Sequence, residues 1–453
     1  MKILLIQPAK AQRTIGGDDY FIFEPLGLEY LASGIKDRHD VKILDMRFDR
    51  NINKEIKDYR PDVVGITAYT VHVNTVRDLS RKIKTIGPDI FIVVGGHHAT
   101  VVPSDFLIPD IDLVVMGEGV FVFKEVISRL ESKRSFDGIA GIAYLDGNEQ
   151  KIIPTEPVTD MDIFPYPARE LTEKYRKHYY SEWMKPLASI RTSKGCPFKC
   201  NFCALWKLTG GKYLTRKPEN IIGELSKIKE KYIFFADDES LVDANRMKKL
   251  AELIKEAGIK KKYFLYGRSD TIVKHPELIK MWKDIGLERV FVGLEFFRDE
   301  DLKYINKGST VENNREAIRI LQSNSIEIYA SFIIRPDFSK EDFQEFKEYC
   351  RELDLNFVSF AVLTPLPGTD FHEEVKDSLI TTNYDLFDFI HTVLPTKLPL
   401  KEFFNNLNFL YMEARSPAKG ISFLMKYPLK EIPHLLFMTV KFSRIIKNAF
   451  KDY

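Results

Sequence analysis

The sequence predicts an α/β protein with two parallel sheets and a helical tail. Short Val- and Ile-rich runs are continuously apolar, as in strands buried on both faces, and amphipathic segments of helical length separate these runs. We expect a Rossmann-like, doubly wound domain at residues 1–135, a connector at 136–184, a partial (βα)6 barrel of the TIM type at 185–375 and a small α-helical region at 376–453.

Five apolar runs predict the strands of the first domain: KILLIQP, VKILDM, DVVGITAY, DIFIVVGG and IDLVVMGEG. Gly, Pro or polar residues stand at or near the end of each run, which is where strands commonly stop. The segment between the third and fourth runs predicts an amphipathic helix that stops at Gly87. In a doubly wound sheet, ligands bind beyond the carboxyl ends of the strands.

Six further strand-like runs predict the barrel: ASIRTSKG, YIFFADDES, KYFLYGRSD, RVFVGLEFF, EIYASFIIRPDF and FVSFAVLTPLPGT. Helices lie between them, one ending before Gly258, one before Gly286 and one running from a Ser339 cap to Leu353. Six βα units are two fewer than a complete barrel contains. Polar residues follow the strands, at the rim where such barrels hold their active site: Asp237, Asp238, Arg268, Asp270, Glu295 and Arg335.

The composition excludes some classes of function. Lys and Arg number 67 against 65 Asp and Glu, so the net charge of +2 gives no general footprint for nucleic acid, and we expect no such partner. Four cysteines in 453 residues are too few for a disulfide framework and fit a reducing cytoplasm. The N-terminus lacks the features of a signal peptide, and no apolar run reaches the roughly 18 residues of a membrane span. We therefore expect a cytoplasmic protein.

Three of the four cysteines, Cys196, Cys200 and Cys203, lie within eight residues, just after the first barrel strand. A structural zinc site would need a fourth ligand. Cys350 falls on a helical stripe of apolar residues and is expected to pack as core. Three thiolates on a four-iron cluster would instead leave one iron without a protein ligand, because such clusters are normally held by four cysteines.

The motif Cys-x3-Cys-x-aromatic-Cys, in which Phe202 is the aromatic residue, resembles that of the radical S-adenosylmethionine (SAM) superfamily. The resemblance implies that Cys196, Cys200 and Cys203 bind a 4Fe–4S cluster whose open iron binds SAM, with Phe202 near the adenine. One electron from the cluster would release a 5′-deoxyadenosyl radical that abstracts hydrogen from an unactivated carbon. The resemblance also implies an electron donor such as ferredoxin or flavodoxin.

The same resemblance implies where SAM would be held. Asp237, Asp238 and Glu239 stand where the superfamily often has Gly-Gly-Glu to bind the SAM amine, so this chain departs from the common pattern. Arg268 and Glu295 end the third and fourth barrel strands. They are candidates for the SAM carboxylate and ribose, and the alternative is that each forms only an ion pair at the rim.

Two glycine-containing loops, GGHHAT and GEG, follow the fourth and fifth runs of the first domain. Glycines there let a backbone approach a bulky ligand closely, and the absence of G-x-G-x-x-G after the first strand argues against NAD or FAD. In front of a radical SAM barrel, these loops resemble the cobalamin-binding domain of cobalamin-dependent radical SAM enzymes. The resemblance implies cobalamin contacts from Thr67, Gly95, Gly96, His97, His98, Thr100, Gly117, Glu118 and Gly119.

One feature of that domain is absent, since no Asp-x-His-x-x-Gly follows the first strand. The cobalt would then lack this histidine as its lower ligand, which fits the radical SAM class and also fits a domain that has lost cobalamin. His97 and His98 would either face the corrin or be ordinary loop residues.

From Tyr263 onward, KKYFLYGRSD, PLPGTDFH and YDLFDFIHTVLPT resemble the lipid-modifying branch that contains the hopanoid methylases and the archaeal tetraether ring-forming enzymes. The resemblance implies cobalamin-dependent C-methylation of an isoprenoid or other lipid. One alternative is carbon–carbon bond formation on a lipid without methyl transfer. Another is a non-catalytic corrinoid or redox sensor, against which the intact cysteine triplet argues.

The last 31 residues mix apolar residues with Lys and Arg and contain only two acids, Glu431 and Asp452. This composition is typical of a basic amphipathic helix at a membrane interface. The alternative is a helix packed on the barrel with a solvated basic face. We expect peripheral contact with the inner face of the membrane.

Overall fold

A computed structural model describes residues 1–16, 21–414 and 417–453. Its contacts divide the chain into two compact units. The first unit comprises Met1–Thr14, Phe23–Tyr179 and Asn383–Asp385. The second unit comprises Ile15–Ile22, Tyr180–Thr382 and Leu386–Tyr453. Each unit is built on one large sheet.

The first unit contains a seven-stranded sheet. Its strands are β1 (Lys2–Gln7), β2 (Asp40–Asp45), β3 (Val63–Thr67), β4 (Phe91–Gly95), β5 (Leu113–Val115), β6 (Ile142–Asp146) and β7 (Glu149–Ile153). They lie in the order β2-β1-β3-β4-β5-β6-β7, parallel from β2 to β5 and antiparallel beyond. The order 2-1-3-4-5 confirms the predicted doubly wound sheet. The segment expected to be a connector supplies β6 and β7.

Burial on both faces explains why the strands of the first unit are continuously apolar. In β1, Leu4 and Ile6 pack into one core, whereas Ile3 and Leu5 pack into a second core on the opposite face. The helices are α1 (Leu26–Ser33), α2 (Ile52–Tyr59), α3 (Val73–Ile86), α4 (His97–Val101) and α5 (Gly119–Glu131). Helix α3 ends at Gly87 as predicted. Short 3-10 helices lie at Thr70–His72, Pro103–Phe106 and Arg169–His178.

The second unit contains a six-stranded sheet that is parallel throughout. Its strands are β8 (Leu187–Ile190), β9 (Tyr232–Phe235), β10 (Lys262–Gly267), β11 (Leu287–Glu295), β12 (Glu327–Ile334) and β13 (Phe357–Val362). They pair in chain order, which confirms the partial (βα)6 barrel. Two short antiparallel ladders join Phe21–Ile22 to Tyr180–Ser181 and Ser193–Lys194 to Leu214–Thr215.

Side chains cap the start of several helices of the second unit. Their bounds are α6 (Leu205–Leu208), α7 (Pro218–Leu225), α8 (Ala244–Glu256), α9 (Ser269–Lys274), α10 (Pro276–Asp284), α11 (Asp299–Tyr304), α12 (Val311–Ser323), α13 (Lys340–Glu352), α14 (Asp370–Val375), α15 (Leu400–Glu413), α16 (Pro417–Leu424) and α17 (Ile432–Asn448). The 3-10 helices are Lys376–Ser378, Leu429–Glu431 and Ala449–Lys451. A further 3-10 helix, Tyr384–Leu386, begins in the segment Asn383–Asp385 of the first unit and ends in the second. The Asp243 side chain caps α8, and Ser339 forms a capping box with Asp342 at α13.

The C-terminal helices pack on the barrel through part of their surface. Ile446 of α17 is fully buried, and Phe442 meets Tyr411 of α15 edge to face at 5.1 Å between ring centroids. Cys350 is fully buried in the same core, as predicted. Within the described residues, no helix combines the length and the apolar character needed to cross a bilayer.

A buried histidine ties down the end of the described chain. His391 hydrogen-bonds through Nδ1 to Asp388 at 2.9 Å and through Nε2 to Asp452 at 3.1 Å. Asp388 also accepts a hydrogen bond from the backbone N–H of Ile15, and Tyr453 donates its hydroxyl to the carbonyl of Thr392. The contacts therefore hold the residues after α17 against the block that follows the barrel.

Candidate active site

The loop that carries the three cysteines begins just after β8 and is held by hydrogen bonds to its backbone. The Trp206 indole N–H donates to the carbonyl of Cys200 at 3.1 Å, and the Asn306 amide donates to the carbonyl of Lys199 at 2.7 Å. The backbone N–H of Asn201 donates to the carbonyl of Ile305 at 3.1 Å. The turn after α11 therefore braces the middle of the loop.

A glycine is required where this loop starts. Gly195 has a φ of +83°, and a Cβ atom there would lie 2.1 Å from the carbonyl oxygen of Lys212. The strand pair Ser193–Lys194 and Leu214–Thr215 thus approaches so closely that only glycine fits. This close approach is the physical reason for the glycine in the sequence SKGCPFKC.

The three thiols carry no disulfide, as a cluster-binding loop requires. Burial raises the pKa of Cys196 to about 11 and that of Cys203 to about 12, and a bound metal would favour their thiolate forms. Among the described residues, no three His, Cys, Asp or Glu side chains converge on the position of a single ion. An iron–sulfur cluster is a larger group with separated irons, so its thiolates do not have to converge on one point.

Asp237 and Asp238 both hold the start of the cysteine loop. Asp237 is buried and accepts hydrogen bonds from the backbone N–H of Thr192 at 2.6 Å, the Thr192 hydroxyl at 2.6 Å and the Ser193 N–H at 2.8 Å. Asp238 accepts from the N–H of Gly195 at 2.6 Å. The two carboxylates after β9 therefore fix the path of the chain from β8 to Cys196. Their predicted contact with the SAM amine remains a prediction.

Glu239 is buried among backbone donors. Its carboxylate accepts hydrogen bonds from the N–H of Leu241 at 2.9 Å and from the N–H of Arg268 at 3.0 Å. Burial raises the pKa of Glu239 to about 7, although the backbone donors act in the opposite direction. Glu239 thus couples the end of β9 to the end of β10.

Arg268, directly after β10, touches the cysteine loop. Its Nη1 lies 3.9 Å from the Sγ of Cys200, and its Cζ lies 3.6 Å from the centroid of the Phe198 ring. The same guanidinium forms an ion pair with Asp270 at 2.9 Å. A delocalised cation stacked on an aromatic ring and placed beside the thiol of Cys200, a predicted cluster ligand, favours a bound anion or carboxylate nearby.

Glu295 forms a buried ion pair at the end of β11. Its Oε1 lies 2.5 Å from the Nζ of Lys307, and the carbonyl of Lys307 accepts from Arg268. Glu295 has a φ of +63° at an irregularity in the pairing of β11 with β12, and a Cβ on Gly293 would lie 2.4 Å from its Oε1. The ion pair foreseen as the alternative is present. The contact with SAM ribose stays a prediction, as does the adenine contact of Phe202, which lies half-buried against the barrel core.

Three residues of this site were not foreseen in the sequence: Lys307, Asn201 and Asn306. Asn306 and Lys307 follow α11 and bind the Lys199 carbonyl of the cysteine loop and Glu295 at the rim, respectively. Asn201 lies in the loop and donates to the carbonyl of Tyr304 in α11. Asn201 lies within the cysteine motif at a position where the motif specifies no residue, whereas Asn306 and Lys307 follow α11, where no strand end or motif marks them. The only local signal is the glycine Gly308, whose φ is +67°.

In the first unit, the two predicted loops are joined by one hydroxyl. Thr100 donates to the carbonyl of Gly96 at 2.8 Å and accepts from the N–H of Gly117 at 2.9 Å. Gly96 has a φ of +106°, and a Cβ there would lie 2.8 Å from both the N of Ala68 and the Oγ1 of Thr67. The ends of β3, β4 and β5 are thereby brought together at one edge of the sheet. Gly95 ends β4, Glu118 directly precedes α5, and Gly119 begins that helix.

Helix α4 separates the two adjacent histidines. His98 is fully buried, with Nδ1 3.1 Å from the Thr70 hydroxyl and Nε2 2.8 Å from an Asp105 carboxylate oxygen. His97 is partly exposed and stacks on Tyr69 with 6.3 Å between ring centroids. Of the two, His97 is the one whose ring reaches the surface at the ligand edge. For both histidines, contact with the corrin remains a prediction.

Comparison with known families agrees with the two folds and the cysteine loop. The family model for the B12 binding domain matches residues 13–127, and that for the Radical SAM superfamily matches residues 190–378. The chain belongs to the radical SAM enzymes that carry an N-terminal B12-binding domain. The radical SAM domain implies a 4Fe–4S cluster and SAM as cofactors, and the B12-binding domain implies cobalamin.

Two relatives support the assignment of the chain to this family. The chain is 34% identical over 414 residues to the hopanoid C-3 methylase of Methylococcus capsulatus, covering 90% of this chain and 79% of that protein. It is 31% identical over 417 residues to an uncharacterized methyltransferase of Pyrococcus horikoshii, covering 88% of each.

Solved structures agree in fold at lower identity. The cobalamin-dependent SAM radical enzyme OxsB, with aqua-cobalamin and SAM bound, gives a TM-score of 0.75 at 18% identity, covering 98% of this chain and 71% of that one. The radical SAM methyltransferase TsrM from Kitasatospora setae gives a TM-score of 0.68 at 19% identity, covering 83% of this chain and 76% of that one.

Proposed function

We propose that this chain is a cobalamin-dependent radical SAM C-methyltransferase that acts on an isoprenoid or other lipid. The observation that carries the proposal is the braced cysteine loop, with Arg268 beside Cys200, in a chain that also has a B12-binding domain. The 34% identity to a hopanoid C-3 methylase supports both the methyl transfer and the lipid.

The residues fit the cofactors as follows. Cys196, Cys200 and Cys203 would hold the cluster, and Arg268 would neutralise an anionic group beside it. When bound, the cluster with SAM supplies a radical that removes hydrogen from carbon, and the cobalamin supplies a methyl group. The protein orients these groups: Asp237, Asp238 and Glu239 fix the backbone around them. In the first unit, the glycines Gly96 and Gly117 would let the corrin approach the backbone.

The inner face of the barrel supports an apolar substrate. On β11, Val290 and Val292 are fully buried in the core that faces the helices, whereas Phe291 points the other way and keeps partial exposure. Five rings continue across neighbouring strands on this inner face, with centroids 4.3–5.3 Å apart: Phe234, Tyr266, Phe291, Tyr329 and Phe357. This row of five aromatic rings suits a hydrocarbon better than a polar metabolite.

Peripheral contact with a membrane is the second part of the proposal. It is supported by exposed apolar residues after residue 420, which include Ile421, Met425 and Leu429. An enzyme that takes a lipid from a bilayer gains from docking on its surface. Deleting the residues after 415 should abolish binding to anionic liposomes, and unchanged binding would contradict this part.

A reductant such as ferredoxin or flavodoxin would deliver the electron to the cluster.

The activity is tested with anaerobically reconstituted protein, a low-potential reductant, SAM and candidate lipids. We expect about four irons and one cobalamin per chain, and we expect 5′-deoxyadenosine, S-adenosylhomocysteine and a methylated lipid as products. Iron without cobalamin, together with a lipid that is coupled or cyclised without methyl gain, would favour carbon–carbon bond formation. No reductive cleavage of SAM with any lipid would contradict an enzymatic role.

A further inference from the structure

The strands of the barrel begin at the end opposite the rim, and this end is called here the amino-terminal mouth. Arg289, the third residue of β11, is fully buried there, and its Cζ lies 4.8 Å from the ring centroids of both Trp183 and Tyr329 and 5.1 Å from that of Phe357. Arg289 also forms an ion pair with Glu182. The mouth is thus closed by a cation that is caged by aromatic rings.

The ion pair of Arg289 and Glu182 leaves several of its polar atoms without hydrogen bonds to the described residues. In the described part of the chain, Nε and Nη2 of Arg289 are buried and have no hydrogen-bond acceptor, and Oε1 of Glu182 has no donor. Buried guanidinium donors without acceptors are unfavourable, so a ligand oxygen that reached them would gain a hydrogen bond. The mouth therefore has the chemistry of a site for a polar group attached to an apolar body.

The C-terminal segment covers the mouth from outside. Lys426 pairs with Glu327, the first residue of β12, and its Nζ lies 4.7 Å from the centroid of the Trp183 ring. Tyr427 meets the same ring edge to face at 6.2 Å. Two residues that follow α16 therefore act as a lid over the mouth.

Apolar side chains next to this lid face solvent. Met425, which directly precedes the lid, is 79% exposed, and Leu429, two residues beyond it, is 84% exposed. Helix α17 continues the surface, because one of its faces carries exposed residues at helical spacing: Pro433, Leu436, Phe437, Val440, Lys441, Arg444 and Lys447. This face is apolar in its first turns and basic in its last, which is complementary to the hydrocarbon and headgroups of an anionic bilayer.

The inner face of the barrel connects the mouth to the cysteine loop. Side chains alternate along β11, so Arg289, Phe291 and Gly293 share the inner face. From Arg289 to Glu295 the strand rises six residues, about 20 Å. Large rings near the mouth give way to small residues toward the rim, as Phe357, Ser359 and Ala361 of β13 illustrate. An elongated hydrocarbon could therefore span the barrel from mouth to rim.

We propose that residues 421–440 dock on an anionic bilayer and that the substrate enters the barrel from the bilayer through the amino-terminal mouth, at Trp183 and Tyr427. Arg289 would receive an oxygen of the entering amphiphile, while its hydrocarbon extends toward the cysteine loop. The inference rests on the proposed action on lipids and adds the direction of entry and the surface that docks.

Trp183 makes the proposal testable without an activity assay. The chain has three tryptophans, of which Trp282 is fully buried in the core and Trp206 lies in α6, where it hydrogen-bonds to the cysteine loop. The reconstituted protein is mixed with vesicles of phosphatidylcholine and phosphatidylglycerol whose acyl chains carry bromine, a short-range quencher. We expect quenching that the Trp183→Phe variant loses by at least half, whereas Trp206→Phe retains it. Phe preserves a ring against Arg289, so this variant keeps the cage.

Docking is tested by flotation with the same vesicles. The Leu436→Ser/Phe437→Ser double variant should bind about ten-fold more weakly or worse, since two apolar side chains no longer enter the bilayer. The matched control is Ile152→Ser/Ile163→Ser, which changes residues of similar exposure (47% and 52%) in the first unit and should bind like wild type.

Each outcome has one meaning. Binding by wild type with quenching that Trp183→Phe leaves unchanged would overturn entry through the mouth. Equal loss of binding in the variant and its control, or no binding by wild type, would overturn the docking surface. Methylation of a detergent-dispersed lipid is measured separately, so these failures are distinguishable from failure of the proposed methyltransferase activity.

Discussion

Replacing Asp237 with Ala is expected to release the cysteine loop from the barrel. Thr192 and Ser193 are buried, and both of their backbone N–H groups donate to Asp237. Without the carboxylate, these two donors lose their acceptor, at about 1–3 kcal/mol each, or about 2–6 kcal/mol together. The loop that carries Cys196 starts two residues further on, so the cluster should be lost more readily.

The assay follows cluster and fold separately. Iron release to a chelator after anaerobic reconstitution, read from the visible absorbance, should be at least ten-fold faster in Asp237→Ala, with a lower melting temperature. Asp237→Asn keeps an acceptor and should restore most of the iron retention. Asp243→Ala removes the cap of α8, which costs about 1 kcal/mol, and should lower the melting temperature while leaving iron retention unchanged. Wild-type iron retention in Asp237→Ala would refute the positioning role.

Three further predictions concern other parts of the chain. Cys350→Ala should keep the full iron content, whereas Ala at any of the three loop cysteines should lose most of it. Iron and sulfide analysis of these variants measures the difference. Gly96→Ala should weaken hydroxocobalamin binding at least ten-fold in a spectroscopic titration, because its Cβ would lie within 3 Å of three atoms, whereas Gly138→Ala, also at positive φ but with open space around it, should not. Burial lowers the pKa of His391, but its two carboxylate partners outweigh this and raise it above the ordinary value. The stabilisation of the fold by protonated His391 is therefore complete below the ordinary pKa of histidine and is lost as the pH rises through the raised pKa. The difference in melting temperature between wild type and Asp452→Asn should thus narrow with rising pH. A difference that stays constant with pH would contradict this role of His391.

The strands of the two sheets were predictable because the relevant signals are local. Continuous runs such as KILLIQ are buried on both faces, and caps such as Asp243 and Ser339 act within three residues. The segment 136–184 was harder to assign, since β7 is largely polar and mostly exposed, and β6 and β7 join the sheet by antiparallel pairing, β6 beside β5 and β7 beside β6. Their role depends on a neighbour that is distant in sequence.

The site was predictable to the level of the motif and not to the level of partners. The cysteine spacing indicates a cluster by itself, and the polar strand ends indicate the rim. The pairing of Glu295 with Lys307, and the use of Asp237 by Thr192 and Ser193, depend on where helices and loops pack. Likewise, nothing in GGHHAT distinguishes the two histidines. The turn of α4 buries His98 and leaves His97 at the surface.

The most direct test of the proposed function is isotope tracing with SAM that carries a deuterated methyl group. In an anaerobic reaction with the cobalamin-loaded protein, we predict a lipid product that retains all three deuterons in one added methyl group. One 5′-deoxyadenosine and one S-adenosylhomocysteine should form for each methylated lipid, and Cys200→Ala should form none of the three. A lipid product without label, formed together with 5′-deoxyadenosine, would contradict methyl transfer.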